Sequence, residues 1–497
     1  MTDLCIVGAG PAGISIAREL DGSGIRICLL ESGAADVERR VQRQSRGESD
    51  GYPVHLLRRS RVRAFGGTLR HPRVRTGGGW AARALDPVDF EARWGVPDSG
   101  WPFDHGYLLP YYERARRVCG LAPRGPADEA WRPVRGSDVE PTLYQLTQVD
   151  FSDVHDTLVS SPNVRLLLRC RAVDFTTDPT GRRVETVTAV RADGSKAVVR
   201  PRAVVLAAGG IENARLLLTA DAGRGLGNEH DVVGRYFAER LALSVGYVVP
   251  YGPGSVRDAG FFDRRGDVSG AIRVVDRVQR DKGFLNCAFS LVPRPAAVAT
   301  TAVGSLSTLH KAMIRRPLVD GFGARVRHVA TGLDHVADFA LSRVVARPRV
   351  LVVRAQGEQA PNRDSRVTLG SRRDDLGIPV ARVSWRMADT DIASIATSLG
   401  VVDAALRAGR FGFVASTLDR DPATLVEGAH HHLGTTRMHA DPRKGVVDAD
   451  CRVHSVRNLY VTGSSVFPTY GLSNPTLTIV ALALRLADHL RGTLGRG

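Results

Sequence analysis

Three consecutive histidines near the end of the chain, His430 to His432, are the residues best suited to acid–base chemistry. A neutral imidazole can take a proton near neutral pH, because the ordinary pKa of histidine is about 6.5. The segments HHLGTTRM at 431–438 and SNPTLTI at 473–479 therefore look like catalytic machinery. A metal-binding tract or a solvated loop is the alternative. The adjacent residues offer no carboxylate or thiolate to complete a metal site, so we expect no metal.

The other end of the chain carries a dinucleotide-binding pattern. Leu4 to Val7 is a short apolar run that predicts a buried parallel strand, and it leads directly into GAGPAG at 8–13. Glycines with this spacing make a tight turn, let the backbone approach a pyrophosphate and let the following helix pack closely. The second apolar run, 25–30, ends in an acid placed to bind ribose hydroxyls. The predicted cofactor contacts here are Gly8, Gly10, Ala12, Gly13 and Glu31.

No second complete glycine fingerprint follows, so we expect one tightly held nucleotide rather than two. VVLAAGG at 204–210 predicts another buried strand ending in small residues, and 211–219 is helix-like. This pattern suits a strand that returns to the same sheet and passes close to the cofactor.

Further segments resemble, in order and nearly from end to end, those of the glucose-methanol-choline (GMC) oxidoreductases, which bind FAD. They are RAFGGT at 63–68, DFEAR at 89–93, SGWPF at 99–103, PYY at 110–112, VVLAAGGIENARLLL at 204–218, DVVGRYF at 231–237, EQAPNRDSRVTL at 358–369 and NLYVTGSSVFPT at 458–469. The resemblance implies FAD and an α/β flavoprotein fold of the p-hydroxybenzoate-hydroxylase-like type. In that fold a Rossmann-like FAD-binding domain is interleaved with an α+β substrate-binding domain containing an antiparallel sheet.

The resemblance also implies roles for individual residues. His431, three residues before the glycine of HHLG, corresponds to the family's catalytic histidine, and Asn474 to its partner. Alcohol oxidation then proceeds with His431 as the general base, hydride transfer to flavin N5, and Asn474 orienting the substrate oxygen. Asn474 can also cap the helix after Pro475. Further cofactor contacts implied by the resemblance are Gly66, Gly67, Thr68, His71, Val173, Ala208, Gly209, Gly463, Ser464, Pro475 and Thr476.

The loop after Thr68 departs from the family pattern. Many relatives have GGTS followed shortly by Trp-Gly, whereas this chain has LRHP at 69–72 and RVRTGGGW at 73–80. His71 lies where pyranose-oxidase-like members carry a histidine bonded covalently to the flavin, but Pro72 replaces the tryptophan that follows it there. A covalent flavin is one interpretation. An ordinary loop under the isoalloxazine, with extra positive charge from Arg70, Arg73 and Arg75, is favoured.

The length of 497 residues exceeds what one core usually supports, so two domains are expected. The family pattern assigns 1–75, 160–235 and 428–497 to the FAD-binding domain, and 76–159 and 236–427 to the substrate-binding domain. Segment 294–301 suits a loop or lid. Apolar spacing predicts a helix at 333–345.

The net charge of +16 does not indicate nucleic-acid or membrane binding, because the arginines are dispersed along the chain. The chain has 64 arginines and only four lysines, an excess that GC-rich coding favours. A basic surface also attracts anionic substrates. The six cysteines form no CxxC pair and are expected to be buried, reduced thiols. Neither a signal segment nor an apolar run of about 20 residues is present, so a soluble cytoplasmic enzyme is expected.

The sequence therefore predicts an FAD-dependent oxidoreductase that acts on the CH–OH group of a small-molecule alcohol. Bacterial relatives with the short HHLGTTRM type of segment suggest a sugar, glycoside, polyol or sugar moiety of a secondary metabolite as the substrate. The electron acceptor is oxygen or a quinone or other carrier. Two alternatives stay open, a GMC-type lyase that keeps FAD for structure and a flavin-binding protein without turnover. The oligomeric state is open too.

Overall fold

A computed structural model describes residues 2–52, 57, 60–71, 74, 79–122, 138–252, 267–295, 326–327, 329–330, 349–418 and 426–495. The expectations for Arg73 and Arg75, for most of segment 294–301 and for a helix at 333–345 lie outside the described residues.

The strands of the described chain are β1 (Thr2–Val7), β2 (Ile27–Leu30), β3 (Glu48–Gly51), β4 (Trp80–Ala82), β5 (Val139–Thr147), β6 (Val164–Leu167), β7 (Cys170–Thr177), β8 (Val184–Arg191), β9 (Lys196–Val199), β10 (Pro201–Leu206), β11 (Ala238–Pro250), β12 (Val268–Val274), β13 (Cys287–Pro295), β14 (Arg349–Gly357), β15 (Arg366–Arg373), β16 (Pro379–Trp385), β17 (Gly412–Ser416), β18 (Val426–Leu433) and β19 (Leu459–Val461).

The α-helices of the same residues are α1 (Pro11–Glu19), α2 (Arg39–Gln42), α3 (His105–Val118), α4 (His155–Val159), α5 (Gly209–Thr219), α6 (Asp276–Lys282), α7 (Asp389–Ala408) and α8 (Thr476–Leu494). Short 3₁₀ helices occur at Arg43–Ser45, Gly67–Arg70, Pro87–Phe90, Phe151–Val154 and Ser464–Val466.

A five-stranded parallel sheet has the order β19-β10-β1-β2-β6. Val7 at the end of β1 is flanked in register by Leu206 of β10 and Leu30 of β2. The loops that follow these strands therefore meet at the carboxyl edge of the sheet, where ligands bind in open α/β folds. The strands and the helix predicted at 4–7, 25–30, 204–210 and 211–219 are confirmed, with slightly different ends.

An eight-stranded sheet is the second large layer, with the order β17-β11-β14-β13-β12-β5-β4 and with β18 paired to β11. Its strand pairs are antiparallel. Two smaller sheets have the orders β15-β16-β3 and β7-β8-β9.

The C-terminal helix α8 packs against α1 and α3. Its buried residues include Leu477, Val480, Ala481 and Leu484, the spacing of one apolar helix face. All six cysteines are free and buried, which confirms that prediction. Among the helices of the described residues, none combines the length and the apolar character that crossing a membrane requires.

Candidate active site

A cavity of about 590 Å³ is lined both by the glycine turn after β1 and by the histidines at the end of β18. Most of the site residues predicted from the sequence line it, namely Gly8, Gly10, Ala12, Glu31, Gly67, Thr68, His71, Ala208, Gly209, His431, Gly463, Ser464, Asn474, Pro475 and Thr476. Gly13, Gly66 and Val173 do not line it, whereas Ala172 does.

The three glycines of the GAGPAG turn have different surroundings. Gly8 has a φ of +106°, and a Cβ there would lie 2.7 Å from the carbonyl oxygen of Ala207. A Cβ on Gly13 would lie 2.0 Å from the carbonyl oxygen of Gly8. A Cβ on Gly10 would instead meet nothing closer than Gly67 Cα at 4.0 Å. The space beside Gly10, at the N-terminus of α1, therefore fits the pyrophosphate of a dinucleotide.

Glu31 follows β2 and presents a buried carboxylate to the same cavity. Its Oε2 accepts a hydrogen bond from Ala9 N at 2.9 Å, and its Oε1 accepts one from Gly33 N at 2.7 Å. Burial raises the pKa of Glu31, while these hydrogen bonds oppose the shift. The remaining lone pairs of the carboxylate fit the ribose hydroxyls of FAD.

A buried cluster of charges that the sequence reasoning missed also lines the cavity. Glu212 of α5 is ion-paired with Arg61, with Arg63 at 3.1 Å and with Arg215 at 3.3 Å. Burial alone would raise the pKa of Glu212, but the charges of Arg63, Arg215 and Arg61 hold it well below its usual range. The sequence did offer a signal for this cluster. Glu212 and Arg215 are charged residues three positions apart in a largely apolar helix.

The C-terminal segment brings β18 against the Rossmann-like sheet. Ser464 donates its hydroxyl to the carbonyl oxygen of His432 at 2.7 Å. Asn213 accepts from Ala208 N at 2.8 Å and donates to the carbonyl oxygen of Thr462 at 3.1 Å, which joins the ends of β10 and β19. Ser464, which the sequence predicts to be a cofactor contact, thus also holds the end of β18 that carries the histidines.

A β-bulge places His431. In the pairing of β18 with β11, His432 lies opposite Glu239, but Gly428 lies opposite Leu241. Three residues of β18 therefore face the single residue Arg240. The turn passes through His430 at a φ of +61°, a left-handed conformation that histidine adopts more readily than most residues.

The same bulge is fixed by a hydrogen bond in which His431 N donates to Glu239 Oε1 at 2.6 Å. The ring of His431 lines the cavity, and its Nδ1 is buried with no hydrogen-bond partner. Burial lowers the pKa of His431 well below its ordinary value, and the charge of Arg240 lowers it further. His431 is therefore a neutral base with an unused ring nitrogen.

Asn474 lies one residue before the N-cap of α8 and also lines the cavity. Its Nδ2 donates to the carbonyl oxygen of Ala81 at 2.8 Å, while its Oδ1 is buried with no hydrogen-bond partner. Helix α8 begins at Thr476 behind Pro475, without a side-chain cap. The capping role considered for Asn474 is thus not observed, because its amide is bound to the β4 backbone instead.

The other two histidines of the triplet lie in different surroundings. The ring of His430 is 5.7 Å from the ring of His71 between centroids. His432 is buried with Nε2 3.6 Å from Glu239 Oε2, and burial together with the charge of Arg61 lowers its pKa to about 3. No three His, Cys, Asp or Glu side chains within the described ranges are grouped to hold a metal ion.

Two family profiles match the sequence. One, described as "GMC oxidoreductase", matches residues 361–483, and the other, described as "FAD binding domain", matches residues 1–47. The chain is a GMC oxidoreductase.

The similarity of this GMC oxidoreductase to curated relatives covers nearly its whole length. It is 26% identical to paromamine 6'-oxidase of Streptomyces fradiae, across 99% of this chain and 92% of the relative. It is 25% identical to 2-methyl-1,2-propanediol dehydrogenase of Mycolicibacterium austroafricanum, across 98% of this chain and 95% of the relative. The crystal structure of pyridoxine 4-oxidase from "Mesorbium loti" superposes with a TM-score of 0.58 at 17% identity, covering 98% of this chain and 99% of that one.

The GMC oxidoreductase is therefore an FAD-dependent alcohol oxidoreductase, and its substrates are small-molecule alcohols. The family, the FAD cofactor, the enzyme class and the fold class predicted from the sequence are confirmed.

Proposed function

We propose that this GMC oxidoreductase oxidises a CH–OH group of a sugar, glycoside or other polyol to a carbonyl, with His431 as the general base and Asn474 orienting the substrate. One observation carries the proposal. Two polar side-chain atoms, His431 Nδ1 and Asn474 Oδ1, are buried in residues lining one cavity and lack partners in the protein. Buried polar atoms without partners are rare and call for a specific explanation, which a bound hydroxyl compound supplies here.

FAD would be held by the glycine turn, by Glu31 and by Ala208, Gly209 and Gly463, all of which line the cavity. When bound, FAD supplies the two-electron acceptor for the carbinol carbon. The protein's own contribution is to remove the hydroxyl proton and to fix the pose.

His431 takes the hydroxyl proton onto a ring nitrogen. Its lowered pKa keeps it unprotonated and therefore ready to act as a base at neutral pH. Because a positive charge on the half-buried ring of His431 is disfavoured by desolvation and by Arg240, the proton must be passed on after each turnover.

Asn474 is oriented by its bond to Ala81, since a carbonyl oxygen can only accept and so fixes which end of the amide is nitrogen. Its second N–H is then available to the substrate oxygen. Its Oδ1 is available to a neighbouring hydroxyl, which favours a substrate with more than one hydroxyl group. The names of the relatives, a paromamine 6'-oxidase and a propanediol dehydrogenase, support the same substrate class.

We also propose the domain division 1–75, 160–235 and 428–497 against 76–159 and 236–427. The strands of the parallel sheet all come from the first three segments. Two strand pairings join the proposed domains: β3 of the FAD-binding domain pairs with β16 of the substrate-binding domain, and β18 pairs with β11.

The test is anaerobic titration of the purified holoenzyme with sugars, glycosides and polyols while the visible absorbance of the flavin is followed. Bleaching by one class establishes alcohol oxidation and the substrate class together. Rapid return of the colour in air identifies oxygen as the acceptor, and slow return identifies a carrier. A flavin that stays oxidised with every alcohol would contradict the proposal and favour a lyase or a non-catalytic flavoprotein.

A further inference from the structure

Buried arginines in the described residues almost always have a carboxylate partner. Seven of the nine have one within 4.0 Å, namely Arg61, Arg70, Arg93, Arg171, Arg215, Arg273 and Arg485. The two exceptions are Arg240 and Arg437. An unpaired buried charge is strongly unfavourable, so each exception requires an explanation.

Arg437 is stabilised without a carboxylate. Its guanidinium carbon lies 4.3 Å from the centre of the Tyr236 ring, and Nη2 donates to the carbonyl oxygen of Asp98 at 2.5 Å. It does not line the cavity. Stacking on an aromatic ring is a common environment for a buried guanidinium.

Arg240 has no comparable arrangement. It is 8% exposed and lines the cavity, opposite the bulge that carries His431. Its Nη1 donates to Gln356 Oε1 at 2.7 Å, but its Nε is buried without a partner. Within the described ranges, the edge formed by Nε and Nη2 has no hydrogen-bond acceptor.

The charged groups near Arg240 are of both signs, since Arg354 repels the guanidinium and the carboxylate of Glu239 attracts it. Arg354 of β14 lines the same cavity. Glu239, the neighbouring carboxylate, accepts from His431 N and faces His432. Glu239 makes no ion pair with Arg240 within the described residues, so the unpartnered edge of the guanidinium is available to an anion that enters the cavity.

We propose that Arg240 binds a carboxylate carried by the substrate, so that the alcohol oxidised at His431 belongs to a hydroxy acid such as a sugar acid. This inference rests on the proposed function. The free Nε and Nη2 donors form the planar pair that matches the two oxygens of a carboxylate. Gln356 holds the remaining arm of the guanidinium and so fixes the direction of that pair. The positive charge of Arg240 also disfavours cationic substrates.

The test measures binding rather than turnover. The oxidised holoenzyme is titrated with acetate and with its neutral analogue acetamide, and then with glucuronate, glucose, glucosamine and glucose 6-phosphate, while changes in the flavin spectrum report the Kd. We expect acetate and glucuronate to bind at least about tenfold more tightly than acetamide and glucose, and glucosamine to bind most weakly.

Variants assign this preference to one side chain. Arg240→Gln should abolish the preference for the anions. Arg240→Lys should retain part of it, because lysine keeps the charge but not the paired N–H groups. Arg407→Gln, which removes an exposed arginine of α7, should behave as the parent.

The proposal is overturned if the parent binds acetate no more tightly than acetamide, if Arg240→Gln and Arg240→Lys both keep the full preference, or if glucose 6-phosphate binds more tightly than glucuronate. Failure of the proposed function has a different signature. In that case the flavin is not bleached by any alcohol, while the preference for carboxylates and its loss in Arg240→Gln are still measured.

Discussion

The main-chain N–H of His431 donates to Oε1 of Glu239 at 2.6 Å, across the bulge between β18 and β11. The bond joins the residue that faces the cavity to a carboxylate that is 2% exposed. It satisfies a main-chain donor that the interrupted strand ladder leaves unpaired. Glu239 is therefore a positioning residue for the proposed base.

We predict that Glu239→Ala slows flavin reduction by a saturating alcohol about 10- to 100-fold, because small displacements of a catalytic group are costly. Glu239→Gln keeps an oxygen acceptor for His431 N and should lose much less. Rapid-reaction measurement of flavin bleaching gives both rate constants. Equal losses in the two variants would contradict the positioning role, as would a loss confined to the KM for the alcohol.

The glycine turn allows a second prediction from a matched pair of variants. Gly10→Ala should fold but bind FAD weakly, because its Cβ meets no protein atom closer than 4.0 Å and enters the space assigned to the pyrophosphate. Gly13→Ala should not fold stably, because its Cβ would lie 2.0 Å from the carbonyl oxygen of Gly8. Circular dichroism and flavin content after purification distinguish the two. A yellow, fully loaded Gly10→Ala protein would refute the assignment of that space.

The lowered pKa of His431 should be visible in the pH dependence of flavin reduction. The pKa of His431 is lowered well below its ordinary value by burial and by Arg240, so the ring stays unprotonated as the pH falls through the usual range of histidine. Flavin reduction should therefore stay constant between about pH 8 and pH 6 and fall only in more acidic solution, whereas an unperturbed histidine gives half the limiting rate near about pH 6.5. Arg240→Gln should move the acidic decline to higher pH. A midpoint near the ordinary histidine pKa in the parent enzyme would show that the ring is not shielded.

The buried arginines Arg93 and Arg240 should differ in what they contribute to stability. Arg93 makes a two-pronged ion pair with the fully buried Glu358, both bonds being 2.8 Å long. Arg93→Gln leaves that carboxylate unpaired and should reduce the free energy of unfolding by about 3–5 kcal/mol. Arg240→Gln removes a charge without a carboxylate partner and should cost no more than about 1 kcal/mol, the value of one hydrogen bond. Denaturant unfolding without added anions gives both values, and similar losses would mean that Arg240 has a structural counter-charge.

Local patterns explain what could be predicted from the sequence. The glycine turn, its flanking strands and the acid at Glu31 depend on residues within one short βαβ unit, so spacing alone is informative. The resemblance then supplied the family and a set of candidate residues, most of which line one cavity. Their individual roles stay predictions, as does the choice between a covalent flavin at His71 and an ordinary loop.

Features that depend on distant pairing could not be predicted. Arg240 and Glu239 look like a charged pair inside an apolar strand until β18, almost two hundred residues later, forms its bulge opposite them. The ion pairs of Glu212 combine residues from α5 and from the loop before Phe65. Asn474 followed the rules for a helix cap, but the bond to Ala81 depends on where β4 lies. In each case the partner is set by the tertiary fold.

The most direct test of the central claim is the rate constant of anaerobic flavin reduction in His431→Ala, with the best alcohol found for the parent enzyme. His230→Ala, which changes an exposed histidine outside the cavity, is the control. We expect the His431 variant to keep its flavin and its visible spectrum but to be reduced about 100-fold more slowly or worse, as is typical for loss of a general base. Reduction at the parental rate in His431→Ala would contradict the account.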